Sequence, residues 1–481
     1  MSDSARLAPS CRTARLSKLR FALVVAALVL CAVDARAQQQ QQNVTVDAPR
    51  GYWTGAFVRE GSAQIVTAEF ISEGNTLRVE TLLPDRPFAP PLASPVERDA
   101  SGALLFRTAY GQARMRLDTT LHEMVGQVGA SAPPMSLHLR RTLRPAVPEV
   151  RTEEVTFRNG SVTLAGTLVL PGGAGPHPLA IFAQGRGCPT RAGSVGRARV
   201  LARYGIAGFA FDKRGAGAST GNCERATFDE EVSDMRAAVE ALSARADVDR
   251  TQVGIIAHSA GGWVAARVAN LVKTPLAFVI TSAGPATSVR EQQFDNARYI
   301  SRELGLKPED EKLFMRYVEL MFEEGNPQAQ FAEMQRLLEH GKRTGWGAEF
   351  LADTDVAPSA DEIKNLWVRR FSYDPADDLR KIRVPFLAFY GGSDRVVPPR
   401  ENEPLLHRLL TEAGNRHFRV MVIPEAGHNL VQDAQLRKLS SAEGEPTAYY
   451  WKFPAFSPDY LIETVEFLHA NLKMGDARMR R

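Results

Sequence analysis

The sequence predicts an α/β protein: a mostly parallel sheet with helices on both faces and a helical insertion, preceded by a small all-β domain. Three observations predict it. From about Gly51 to Leu143, short alternating apolar runs are punctuated by turn residues at hairpin spacing. From Thr152 onward, strand-like apolar runs alternate with segments of helical period. Within that second region the apolar run Val253 to Ala257 breaks abruptly at His258-Ser259-Ala260-Gly261-Gly262, and helix-compatible residues follow from Trp263 to Ala269.

At 481 residues the chain is long enough for two or three domains with sizeable cores. Its first segment carries Arg6, Arg12, Arg15, Lys18 and Arg20, then the apolar run Phe21 to Val33 and the small-x-small site Ala35-Arg36-Ala37. Residues 1–37 are therefore expected to be a secretory signal peptide, because the apolar run is too short to span a bilayer comfortably. That segment holds six of the 59 Lys+Arg and two of the 55 Asp+Glu, so its removal leaves the two signs in balance. No basic excess remains to attract nucleic acid or an anionic surface. The mature chain is expected in the periplasm or outside the cell, without a stable membrane span. Residues 38–50, opening on Gln38 to Gln42, read as a polar linker.

Residues 51–148 read as an antiparallel barrel or sandwich, with strands such as Ala63 to Ile71, Thr76 to Leu82 and Ser136 to Arg140. This region holds no cluster of catalytic residue types, so packing or dimerisation is its expected role, with a substrate-gripping or carbohydrate-binding module as the alternative. Pro145 to Pro148 marks the boundary. Residues 152–481 form the second domain. Asn159-Gly160 signals a hairpin between Glu154 to Phe157 and Val162 to Leu170. Strands follow at Pro178 to Ala183, Ile206 to Phe211 and Leu276 to Thr281, with helices at Val195 to Tyr204 and Glu230 to Ala246. Residues 285–372 interrupt the pattern with helical text at Glu311 to Glu324, Ala329 to His340 and Ala360 to Phe371, a cap over one sheet edge. The sheet resumes at Val384 to Tyr390 and Phe418 to Ile423, and Pro458 to Leu472 is the last helix.

The break at Ser259 carries chemistry. A serine at the tip of a strand–turn–helix has its hydroxyl pushed clear of the backbone, and its neighbours must be small where strand and helix pass close together. Ala257 and Gly261 meet that demand, with Ala257 standing where glycine is usual. An activated serine needs a base within reach and an acid to orient that base, both at the C-terminal ends of later strands. Asp394 lies just past the strand ending at Tyr390, and His428 follows the strand ending at Ile423. The order Ser259, Asp394, His428 is the one this arrangement requires, with Glu425 the alternative acid. Of the other histidines, His258 is expected to point away from the serine and His417 to lie at the wrong sheet edge. The bland alternatives, a capping serine, a turn-forming aspartate and a surface histidine, do not account for all three in this order.

An oxyanion needs two amides. Ala260 begins the helix after the serine, and the Gln184-Gly185-Arg186-Gly187 turn supplies the second, expected from Arg186. The Arg186 side chain is open to two readings, an anionic-substrate contact or an ion pair. Asp212-Lys213-Arg214-Gly215 lacks the phosphate-loop ending, so Asp212 and Arg214 read as a structural brace. Neither metal-ligand spacing nor a cofactor motif is present, so no metal and no cofactor are expected. Cys188 and Cys223 are the two cysteines outside residues 1–37, sit in loops leaving neighbouring strands, and are expected to form a disulfide. Phe294, Tyr299, Phe314, Tyr317, Met321, Phe322, Trp346 and Trp367 give the cap large apolar groups. Some are expected to line a pocket above Ser259, and at least half to form the cap's own core.

With the strand–turn–helix at Ser259, Gly391-Gly392-Ser393-Asp394, Gly427-His428 and Asp212-Lys213-Arg214-Gly215 in view, residues from about Thr152 to Leu472 resemble the α/β-hydrolase superfamily. They are most similar to exported bacterial esterases with an N-terminal β domain, and more loosely to prolyl oligopeptidases, dienelactone hydrolases and acyl-CoA thioesterases. The resemblance implies a carboxylic ester hydrolase acting on a small-molecule ester. A prolyl oligopeptidase-type peptidase and a thioesterase or acyltransferase are the alternatives, followed by a non-catalytic binding protein on the same scaffold.

Overall fold

The computed structural model describes residues 49–59, 62–74, 76–84, 91–129, 134–145, 148–350, 355–424, 426–431 and 457–473. The expected signal peptide, Gln38 to Gln42 and Glu425 lie outside the described residues.

The N-terminal region is an all-β domain. Its strands are β1 (Gly51–Arg59), β2 (Ser62–Glu73), β3 (Thr76–Leu82), β4 (Leu92–Pro95), β5 (Glu97–Arg98), β6 (Leu104–Thr108), β7 (Gly111–Asp118), β8 (Glu123–Val128) and β9 (Met135–Arg141). They form one antiparallel sheet in the order β4-β3-β2-β1-β9-β8-β7-β6-β5. The two ends of that order meet where the Arg107 amide of β6 donates to Ser94 Oγ of β4 at 2.9 Å. The sheet therefore curls into a barrel, one of the two forms its sequence allows. Alternation puts Trp53, Phe57, Val66, Phe70, Phe106 and Met115 inside.

The second sheet comprises β10 (Val150–Asn159), β11 (Val162–Pro171), β12 (His177–Ala183), β13 (Ala207–Phe211), β14 (Val248–His258), β15 (Val279–Ser282), β16 (Phe386–Gly391) and β17 (Phe418–Ile423). Its order is β10-β11-β13-β12-β14-β15-β16-β17. The first two strands pair antiparallel around the Asn159-Gly160 turn, and β11 is antiparallel to β13. From β13 to β17 every pairing is parallel. This is the α/β-hydrolase fold. The chain winds to one side of β12 and then crosses to the other, so loops leaving β12 and β14 face each other across a crevice at the strands' C-terminal edge.

Helices cover both faces. On one face α1 (Ala192–Arg203) and the last helix, Pro458–Asn471, pack with Phe182, Ile256, Phe278 and Phe389. On the other, α2 (Phe228–Ser243) and α3 (Gly261–Ala269) join a larger core with the cap. The start of α2 is fixed by a capping box: Thr227 Oγ1 accepts from the Glu230 amide, and the Glu230 carboxylate accepts from the Thr227 amide.

The cap comprises α4 (Val289–Glu303), α5 (Pro308–Phe322), α6 (Pro327–Thr344), α7 (Trp346–Phe350), a 3₁₀ turn at Ala360–Asn365 and α8 (Trp367–Arg370). The helix expected over Ala360 to Phe371 is thus two pieces. Leu366 sits between them with an extended ψ of 139°, and Trp367 beyond it stacks on Phe371. Then come α9 (Ala376–Leu379), α10 (Pro399–Glu412) between β16 and β17, and the last helix, α11 (Pro458–Asn471). Among the described residues, no helix is long and apolar enough to cross a membrane.

Candidate active site

The turn after β14 is built for close approach. Ser259 has a φ of +52°, a left-handed conformation that β-carbon-bearing residues adopt only where surrounding structure enforces it. Enforcement comes from the Ser259 amide donating to Ser282 O of β15 and from the Gly262 amide turning back onto Ser259 O. A side chain at Gly261 would meet Ala183 O at 2.6 Å, so α3 can lie against the β12 loop only with glycine there. Ala257, in the place of the usual glycine, is fully buried and stays in register with Ala183 and Thr281. Ala260 is the N-cap of α3 and makes no side-chain cap, so the donors of that helix end are not taken by a capping side chain.

Asp394 follows β16 in a turn that its own carboxylate organises. Oδ1 accepts from the amides of Val396 at 2.8 Å and Val397 at 3.0 Å. His428 follows β17. The two loops run against each other because position 391 has no side chain: a Cβ there would meet Ala426 O and Gly427 O at 2.4 Å. The Ser393 amide also donates to Ala426 O. Across this contact, His428 Nδ1 is 2.8 Å from Asp394 Oδ2 and His428 Nε2 is 2.9 Å from Ser259 Oγ. A buried carboxylate can only accept, so Nδ1 carries the proton and Nε2 is left to accept from the serine hydroxyl. Asp394 is 1% exposed, with Oδ1 on the two amides and Oδ2 on the imidazole.

His258 turns its ring nitrogen to β15 and not to Ser259. Its Nδ1 lies near Ser282 O and Oγ, at 3.1 and 3.2 Å, yet its ring stands 5.1 Å from that of His428 and lines the same cavity. Burial, reinforced by the neighbouring His428, pushes its pKa well below the usual histidine value. It therefore stays neutral when its neighbour becomes charged. His417 precedes β17, at the opposite edge from Ser259.

The cavity above Ser259 measures about 640 Å³. Arg186 and Ala260, the two residues expected to supply oxyanion amides, both line it. The Arg186 side chain resolves into the second of its two readings. It pairs with Asp355 of the cap at 2.6 Å and lies over the Trp367 ring at 4.3 Å. Gln184 secures the same turn, its Nε2 donating to Thr190 O and Phe211 O. Of the eight large apolar cap residues, Trp367 lines the cavity. Phe314, Tyr317, Met321 and Trp346 are buried in the cap's own core, where the Phe314 and Trp346 rings stack 4.4 Å apart. Phe294 and Phe322 flank Arg290, and Tyr299 flanks Arg302. Residues that sequence reasoning did not single out also line the cavity, notably Gln292, Gln293 and Asn296 of α4, Phe350 and Asn429. The signal for α4 was present in Ser288-x-x-Glu291, a capping box directly after a core strand.

Behind the crevice, Asp212 accepts from the Arg191 amide, Arg191 Nη1 and the Ala218 amide, and Arg214 pairs with Asp234 through two contacts at 2.7 and 2.8 Å. Both residues brace the loop after β13. Cys188 and Cys223 form a disulfide with Cα atoms 5.5 Å apart, tying that loop to the one carrying Arg186. Its closed loop spans a sequence separation of 35, and breaking it is expected to cost about 2–4 kcal/mol. The check is the denaturant midpoint of the chain lacking residues 1–37, before and after reduction, with thiol titration of the unreduced unfolded protein. Titration of two free thiols before reduction would contradict the pairing.

The family model described as "Alpha/beta hydrolase family" matches residues 168–440. Esterase EstD of Thermotoga maritima is 24% identical over 296 residues, covering 59% of this chain and 61% of that relative, so the chain spans less than two thirds of the relative's length. Among solved structures, a Pyrococcus furiosus esterase is similar at a TM-score of 0.42 and 17% identity, covering 68% of this chain and 92% of that one. A proline iminopeptidase of Mycobacterium smegmatis is similar at 0.40 and 16%, covering 66% and 98%.

Proposed function

The chain belongs to the alpha/beta hydrolase family, and from that premise we propose that it hydrolyses carboxylic esters through Ser259, His428 and Asp394. The observation that carries this reading is the continuous hydrogen-bonded line from Asp394 Oδ2 through both nitrogens of His428 to Ser259 Oγ. Ser259 Oγ attacks the ester carbonyl as His428 Nε2 takes its proton. Asp394 holds the imidazole in the required tautomer and stabilises the imidazolium, and the neutral His258 adds no opposing charge. The amides of Arg186 and Ala260 bind the oxyanion of the tetrahedral intermediate. His428 then protonates the leaving alcohol, and a water activated by the same imidazole releases the acid from the serine. No cofactor takes part. With residues 1–37 as a signal peptide, the enzyme works in the periplasm or outside the cell, where the Cys188–Cys223 bond persists.

The cavity favours an ester over a peptide with a free amino terminus. Among the described residues its lining includes Arg186 and Arg197 and no carboxylate, so a substrate ammonium would lose its hydration without gaining a counter-charge from them. A panel of chromogenic esters of increasing chain length, run beside aminoacyl anilides, tests this. Ester turnover with little or no anilide turnover is expected. Preferential cleavage of anilides would replace the esterase reading with a peptidase one.

A further inference from the structure

On the cap side of the cavity, three side-chain amides from one helix stand beside the rings of Phe350 and Trp367. Gln292, Gln293 and Asn296 project from α4, the first two almost fully buried. Gln292 is fully engaged: its Nε2 donates to Val396 O, and its Oε1 accepts from Gln293 Nε2. Val396 is the residue whose amide holds Asp394, so this relay pins α4 to the acid's loop. It leaves the Gln293 carbonyl oxygen as its open end. Three positions on, Asn296 Oδ1 is buried and has no hydrogen-bond partner among the described residues. A buried acceptor left unpaired is costly, and its partner is normally protein, water or ligand. Here it belongs to a residue lining the cavity of the candidate nucleophile.

We propose that Gln293 and Asn296 form an amide shelf that accepts hydrogen bonds from an uncharged hydroxyl group on the substrate. The preferred class is then esters of polyols or hydroxy acids in place of plain alkyl esters. This rests on the esterase reading and names its substrate class. An aliphatic chain laid on the shelf would leave its amide oxygens unpaired, whereas a hydroxyl supplies a donor to them. The relay through Gln292 gives the shelf a fixed position relative to Asp394, as orientation of a substrate requires.

Matched ester pairs test the shelf: glyceryl monobutyrate against propyl butyrate, and ethyl hydroxybutyrate against ethyl butyrate, followed by acid release. The hydroxylated member of at least one pair is expected to have a kcat/KM about tenfold higher, the worth of one neutral hydrogen bond. That ratio should fall towards unity in Asn296→Leu, which keeps the side-chain volume and removes the acceptor. Gln293→Met is the second variant, should Asn296→Leu fail to fold as judged by its thermal transition. Ser259-dependent turnover of both members of each pair at equal kcat/KM would overturn the shelf and leave the esterase reading standing. So would a preference that neither variant changes. Absence of Ser259-dependent turnover for every ester would overturn the esterase reading and the shelf with it.

Discussion

Alanine at Ser259 or His428 is expected to reduce ester turnover by on the order of 10⁴-fold or more, with the double variant scarcely worse than either single one. The reason is the single line of hydrogen bonds through His428: once either end is gone, the other has no function to lose. Asp394→Asn is the sharper probe. The asparagine oxygen can still accept from the Val396 and Val397 amides, so the turn keeps its shape. Its nitrogen then faces His428 Nδ1 with a donor, which forces the proton onto Nε2 and blocks acceptance from Ser259. A loss of about 10⁴-fold in kcat is expected, with KM little changed. Steady-state kinetics on one chromogenic ester checks all three, and near-normal turnover in Asp394→Asn would place the orienting acid elsewhere.

The second large effect is on stability. Arg214 and Asp234 are both buried, joined by two contacts, and Asp234 Oδ1 also accepts from Asn159 Nδ2. Asp234→Ala takes from a buried guanidinium its two-contact partner, leaving Glu230 as its remaining ion-pair contact among the described residues with the charge of Glu231 nearby, and is expected to cost about 3–5 kcal/mol. Adding Arg214→Met should recover most of that loss, because the pair together contributes far less than the penalty for breaking it. Denaturant unfolding of the three variants checks both statements. A loss below about 1 kcal/mol for Asp234→Ala would mean that Arg214 finds water or another partner.

That Ser259, Asp394 and His428 come together was legible in the sequence because each follows a recognisable apolar strand, and a parallel sheet sends all such ends to one edge. Cys188 and Cys223 were legible by the same reasoning, as both loops leave adjacent parallel strands. The barrel was legible in its strands and not in its closure, which depends on a contact between β4 and β6 that no local pattern records. The cap was legible as helices but not as a surface. Periodicity says that Phe314, Tyr317 and Trp346 share an apolar face; it does not say whether that face meets a neighbouring helix or a substrate. They meet each other. Gln292, Gln293 and Asn296 look like an ordinary solvated helix face, and only docking of α4 on the Asp394 loop turns them inward. Asp355 was similarly invisible, since its partner Arg186 lies 169 residues away.

The most direct test of the esterase account is active-site labelling of the wild-type chain with a fluorophosphonate, an electrophile that phosphonylates an activated serine hydroxyl with loss of fluoride. The account predicts one phosphonyl group per chain, located on the peptide containing Ser259, with ester turnover lost in proportion to labelling and no labelling in His428→Ala. Ester turnover that survives complete labelling of Ser259, or a label carried by a different residue, would contradict it.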